Sequence, residues 1–142
     1  MKTSSASASW QGNLTKGKGV LRLSTIGFET PYDFASRFEE GESTNPEELI
    51  GAAHAGCFSM ALSNILSEEG FVPEEINTTA QVTISKRDKG FEITEIQLTT
   101  DAKVSGIEES KFLKLAETAK INCPVSKALA RVNINLKARL LL

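Results

Sequence analysis

Two hydrophobic periods take turns along the chain. Residues 75–86 place Ile76, Thr78, Ala80, Val82 and Ile84 at every second position, the signature of a half-buried strand. Arg87-Asp88-Lys89-Gly90 has the chemistry of a hairpin turn. In the strand that follows, Phe91 and Ile93 share one parity, but Ile96 and Leu98 take the other. That switch predicts a bulge near Thr94-Glu95, or burial on both faces. Val132, Ile134, Leu136, Ala138 and Leu140 alternate as a last strand. The first thirty residues read as short strands between turns at Gly12-Asn13 and Lys16-Gly17-Lys18-Gly19, with Val20, Leu21, Leu23 and Ile26 as the apolar signal. Residues 31–45 are expected to be an irregular connection that carries Tyr32, Phe34 and Phe38.

The longer period marks helices. Thr44-Asn45-Pro46-Glu47-Glu48 combines a polar cap, a Pro in the first turn and acids at the positive dipole end. Leu49, Ile50, Ala53, Cys57, Met60, Ala61, Ile65 and Leu66 then predict one buried stripe, which Gly70 closes. Gly51, Ala52, Ala55, Gly56, Ser59 and Ser63 leave little bulk on the other faces, so a central helix buried on more than one side is expected. A second helix is predicted over Ile107–Lys120, with Phe112, Leu115, Ala116 and Ala119 facing inward, and a short one after Cys123-Pro124. The order of strands, helix, strands, helices, strand predicts an α+β chain with a mostly antiparallel sheet. No internal repeat is visible.

Composition narrows the class. The 142 residues suit one domain, 1–142, and 40% apolar with 24% charged residues excludes global disorder. A net charge of −2 gives no reason to expect nucleic acid or an anionic membrane as partner. No apolar segment follows Lys2 as a secretory signal would, and no run approaches the roughly 20 apolar residues of a bilayer span, so a cytoplasmic protein is expected. Two Cys and one His exclude a disulfide scaffold and a His-rich metal site. In a reducing compartment such a Cys pair is expected to rest as thiols and to serve catalysis or redox chemistry.

Cys57, mid-stripe on the long helix, reads first as a small hydrophobe filling a tight contact. Cys123 precedes Pro124 and so falls at a helix N-cap, where free N–H groups favour a thiolate. Three uses remain open. His54 and Cys57, spaced i, i+3, share a helix face as a Cys–His nucleophile would, although neighbours on one helix seldom reach the needed geometry. The two thiols, 66 residues apart, are also placed for a dithiol–disulfide cycle. Alternatively, both are structural. A reactive thiolate needs a cation, and Arg37 beside Phe34 and Phe38 offers a guanidinium fork that Glu47 or Glu48 would orient. Ten helical residues separate Glu47 and Cys57 by about 15 Å. One site holding Arg37, Glu47 and Cys57 thus requires a bent or late-starting helix, or two chains packed through small residues across a two-fold axis.

The run from Thr44 to Met60, TNPEELIGAAHAGCFSM, is similar to the signature of the osmotically inducible protein C family, and so is Asn122-Cys123-Pro124-Val125-Ser126. Trp10, Gly17-Lys18-Gly19, Pro31-Tyr32 and Arg37-Phe38-Glu39 also fall where that family has them. The resemblance implies an intertwined homodimer, each chain giving a curved, mostly antiparallel sheet wrapped around central helices. It implies a thiol-dependent peroxidase for organic hydroperoxides in which Cys57 is the peroxidatic and Cys123 the resolving cysteine. Arg37 then activates the thiolate and Glu47 orients Arg37. A Cys57–Cys123 disulfide is expected to be reduced by an external thiol or a lipoyl-type dithiol, with no metal or flavin. Gly56 departs from the Ala common before the catalytic cysteine. Phe28, Phe34, Phe38 and Phe58 are candidates for an apolar lining. The rival expectations are a family member with changed chemistry and a non-enzymatic redox-sensing or stress-response dimer.

Overall fold

Alternation in the sequence becomes a long hairpin in the structure, a computed structural model that describes residues 1–142. The chain divides into two compact units, Met1–Leu49 and Ile50–Leu142.

In the first unit β1 (Ala6–Gln11), β2 (Lys18–Leu23) and β3 (Phe28–Tyr32) form an antiparallel sheet in that order. Its register aligns Trp10, Gly19 and Tyr32. Gly19 is required there because a Cβ would overlap both rings, which pack at 5.3 Å between centroids. The connection expected over residues 31–45 is more ordered than its pattern. Tyr32 ends β3, and Phe34–Phe38 form a short helix, α1. Asp33 starts it by accepting the Ser36 N–H at 2.8 Å. Five residues are too few to show a helical period, which is why the pattern missed them. Nearly buried Ser36 then ties the returning loop: its hydroxyl accepts the Ser43 N–H and its carbonyl accepts the Asn45 amide. Asn45 in turn caps α2 (Pro46–Glu68), its Oδ1 accepting the Glu48 N–H at 2.8 Å.

In the second unit β4 (Glu75–Arg87) and β5 (Gly90–Lys103) pair antiparallel, and β6 (Asn133–Leu141) adds to β5 in parallel. Thr83 pairs with Glu95 and Ile84 with Ile93, so Thr94 is the bulged residue and the parity switch has its cause. Three of the four strand pairings in the chain are antiparallel, as expected, but the strands form two three-stranded sheets rather than one. The parallel pair needs a crossover, which α3 (Glu109–Asn122) and α4 (Pro124–Ala128) provide. The core gathers Phe58, Leu62 and Leu66 of α2, Ile96, Leu98 and Ala102 of β5, and Phe112, Ala116 and Ala119 of α3. Each large side chain among them contributes about 1.5–3 kcal/mol through burial.

The helix α2 departs from its expected face. Gly51, His54, Phe58, Leu62 and Leu66 form its buried ridge, whereas Ala53 and Met60, assigned inward by periodicity, are exposed. The helix is apolar nearly all round, so period alone cannot select the side that packs. Over 23 residues it is also long and apolar enough, by length and composition, to cross a membrane, contrary to the expectation that no segment would be. Its buried ridge packs into the core of the second unit instead. Small residues do what was expected at Gly51, where an added Cβ would meet the Ala80 carbonyl oxygen of β4 at 3.3 Å. At the far end Gly70 (φ +90°) closes α2, with the Phe71 N–H on the Leu66 carbonyl and the Gly70 N–H on the Ser67 carbonyl.

Candidate active site

Pro124 determines where Cys123 stands. Proline has no N–H and disfavours helical backbone in the residue before it, so the chain breaks between α3 and α4 at Cys123 (φ −56°, ψ 125°). The Cys123 N–H still finishes α3 on the Ala119 carbonyl, and its own carbonyl opens α4 by accepting the Lys127 N–H. Cys123 thus holds the N-cap position of α4, as expected, although its side chain makes no cap hydrogen bond. Instead the Cys123 Sγ is fully buried and turned toward α2, 2.9 Å from the Cys57 Sγ. Both are free thiols.

The helix-start N–H goes to the other sulfur. Val125 N–H of α4 hydrogen-bonds Cys57 and pulls its titration down. Burial outweighs it and pushes the Cys57 thiol above its ordinary range, with the neighbouring Cys123 thiol adding to the rise. The Cys57 environment in this unit therefore favours the protonated sulfur, and a thiolate there needs an added cation.

His54 is completely buried one turn before Cys57. Its Nε2 lies 2.7 Å from the Ser126 Oγ of α4, while its Nδ1 is buried without a partner. No hydrogen bond joins it to Cys57, so the Cys–His nucleophile reading falls. Burial lowers its affinity for a second proton.

Arg37 and Glu47, both in the first unit, form the second pairing. The guanidinium grips the carboxylate through Nη2 to Oε1 at 3.0 Å and Nε to Oε1 at 3.2 Å. Glu47 is only 6% exposed, while the Arg37 side chain remains 39% exposed. The guanidinium also lies 5.2 Å from the centre of the Phe38 ring. Glu48, the other candidate, is exposed and accepts the Thr44 hydroxyl instead. Beside Arg37 a pocket of about 240 Å³ is lined by Trp10, Leu14, Tyr32, Phe34 and Phe38. Of the four phenylalanines proposed as lining, Phe34 and Phe38 are there; Phe58 is fully buried in the core and Phe28 is an exposed strand residue.

Sequence reading had singled out Cys57, Cys123, Arg37 and Glu47, and the structure brings them together as two pairs. It missed the Val125 N–H, which no side chain announces. It paired His54 with Cys57 as one option, whereas the partner of His54 is Ser126, 72 residues away.

Comparison with known proteins agrees along the chain. A family model described as OsmC-like protein matches residues 39–138. Peroxiredoxin OsmC of Escherichia coli is 50% identical over 123 residues, 86% of this chain and 86% of its own. Organic hydroperoxide resistance protein OhrA of Bacillus subtilis is 33% identical over 128 residues, covering 89% of this chain and 85% of that one. Among solved structures, an OsmC-like protein of unknown function from Vibrio cholerae has the same fold, with a TM-score of 0.76 at 17% identity over 97% of this chain and 99% of that one. An organic hydroperoxide resistance protein from Elizabethkingia anophelis gives 0.70 at 25% identity, covering 99% and 98%. The chain belongs to the OsmC-like family, among whose named members are Cys-based peroxidases.

Proposed function

We propose that this chain is a Cys-based peroxidase that reduces organic hydroperoxides to alcohols through a Cys57–Cys123 disulfide. The observation that carries the reading is the 2.9 Å contact between two free sulfurs drawn from distant parts of the sequence. The Cys57 thiolate attacks the outer peroxide oxygen, the O–O bond breaks, and the leaving alkoxide takes a proton as alcohol. Cys57 is left as a sulfenic acid. Cys123 then attacks that sulfur, an S–S bond forms, and the hydroxyl leaves as water. An external thiol or lipoyl-type dithiol restores both thiols. In a cytoplasmic setting the resting state is reduced.

The needed cation is Arg37, held by Glu47. Its fork stabilises the thiolate and donates to the peroxide oxygen that gains charge. The helix α2 runs unbroken from Pro46 to Glu68, neither late-starting nor interrupted. Ten of its residues rise about 15 Å between Glu47 and Cys57. We therefore assign the Arg37 that serves each Cys57 to a second copy of the chain, in an intertwined homodimer with two sites. The exposed face of α2, with Ala52, Ala53, Gly56 and Met60, supports this because small residues let helices pack closely. The aromatic pocket at Arg37 favours an apolar hydroperoxide over hydrogen peroxide. In this reading residues 1–142 act as one functional domain.

Steady-state consumption of cumene hydroperoxide and hydrogen peroxide with dithiothreitol tests it. Wild type is expected to prefer cumene hydroperoxide, and Cys57→Ser to lose turnover. Unchanged turnover in Cys57→Ser ends the proposal.

A further inference from the structure

Outside this chemistry stands a buried polar pair that the peroxide cycle does not use. His54 is 0% exposed and Ser126 6%, and the bond between them joins α2 to α4. A buried N–H without an acceptor costs more than a bare lone pair, so the proton belongs on Nε2, which donates to the Ser126 Oγ, and Nδ1 stays bare. The bond matters because of what α4 is. It has five residues, too few to be stable by itself, and Ser126 is its one buried residue. Cys123 and the Val125 N–H, both directed at Cys57, stand at its start.

We propose that His54 is a positioning residue for disulfide formation: through Ser126 it pins α4, and with it the Cys123 thiol, against Cys57. The inference rests on the peroxidase reading for the sulfenic acid it acts upon. That acid has two fates. In resolution, Cys123 attacks Cys57 sulfur, the S–S bond forms, the S–OH bond breaks, and hydroxyl plus the Cys123 proton leave as water. In overoxidation, a second hydroperoxide gives up its outer oxygen to form a sulfinic acid and departs as alcohol. The His54–Ser126 latch favours the first fate by keeping the two sulfurs in contact.

The test measures the partition between disulfide and Cys57 sulfinic acid by mass spectrometry across a hydroperoxide series. In Ser126→Ala the ratio of resolution to overoxidation is expected to fall about fivefold or more, the scale of one lost hydrogen bond. Ser126→Thr, which keeps the hydroxyl, is expected to restore it, and His54→Gln, whose Nε2 remains a donor, to resemble wild type. A smaller fall in Ser126→Ala, or no recovery in Ser126→Thr, overturns the proposal. A second arm closes the same disulfide with diamide, which adds to one thiolate and is displaced by the other thiol as the hydrazine. If wild type consumes no hydroperoxide but Ser126→Ala slows diamide closure by that factor, the latch stands and the peroxidase reading falls. If wild type turns over and closure is unaffected, the latch alone falls.

Discussion

The Cys123 sulfur lies 2.9 Å from the Cys57 sulfur, although 66 residues separate them. A disulfide holds its sulfurs about 2.05 Å apart, so oxidation asks for a shift of under an ångström rather than a rearrangement of α4. In Cys123→Ser the sulfenic acid has no internal partner. Dimedone is expected to label Cys57 in that variant after one equivalent of cumene hydroperoxide, and wild type to remain unlabelled. Equal labelling of the two would show that Cys123 does not resolve the acid.

Arg37 and Glu47 should behave as a unit. Arg37→Lys keeps the charge but loses the fork, and kcat/KM for cumene hydroperoxide is expected to fall on the order of tenfold or more. Removing the guanidinium in Arg37→Ala leaves the buried Glu47 carboxylate unpartnered, at a cost of about 1–3 kcal/mol. Chemical denaturation is expected to show that loss, and Arg37→Ala/Glu47→Gln to recover part of it.

The pH profile of Cys57 alkylation reports the cation directly. Burial and the Cys123 thiol raise the Cys57 titration. In Arg37→Ala the midpoint of iodoacetamide reactivity at Cys57 is expected above the ordinary cysteine range, and in wild type clearly lower. Coincident profiles would remove Arg37 from the site.

His54 gives stability a pH dependence of fixed sign. Its folded-state value lies below the ordinary 6.5, so below that pH the unfolded chain binds a proton that the folded chain refuses. Stability is therefore expected to be complete above about 6.5 and to fall as the pH drops from there toward the folded value. Urea midpoints across this window check it. The slope should shrink in His54→Gln, which cannot titrate.

Met60 tests the homodimer. Its side chain is 76% exposed in the single chain, so Met60→Glu should cost the chain little. A charge at a close helix contact between copies is instead expected to shift sedimentation from dimer to monomer. Under the proposed two-chain site it should also lower peroxidase turnover, by separating each Cys57 from the Arg37 assigned to it.

Much of this was legible from residues whose causes are local. Ile76 through Ile84 alternate because one sheet face is buried, and the parity switch after Ile93 marked the bulge at Thr94. Asn45-Pro46 and Gly70 marked the ends of α2 through cap chemistry. What escaped depends on distant partners. Met60 and Phe58 are equally apolar, and only packing decides that one is exposed and the other buried. No local signal tells that β6 returns parallel to β5, that α1 exists within a polar loop, or that His54 meets Ser126. The pairing of Cys57 with Cys123 followed from family resemblance, not from spacing.

A single turnover tests the central claim most directly. Fully reduced protein is mixed with one equivalent of cumene hydroperoxide and no reductant, quenched, and assayed for alcohol and for the Cys57–Cys123 disulfide. One alcohol and one intramolecular disulfide per hydroperoxide consumed are expected, with neither formed by Cys57→Ser. Alcohol formed by Cys57→Ser at the wild-type rate, or formed by wild type while both thiols remain free, would contradict the account.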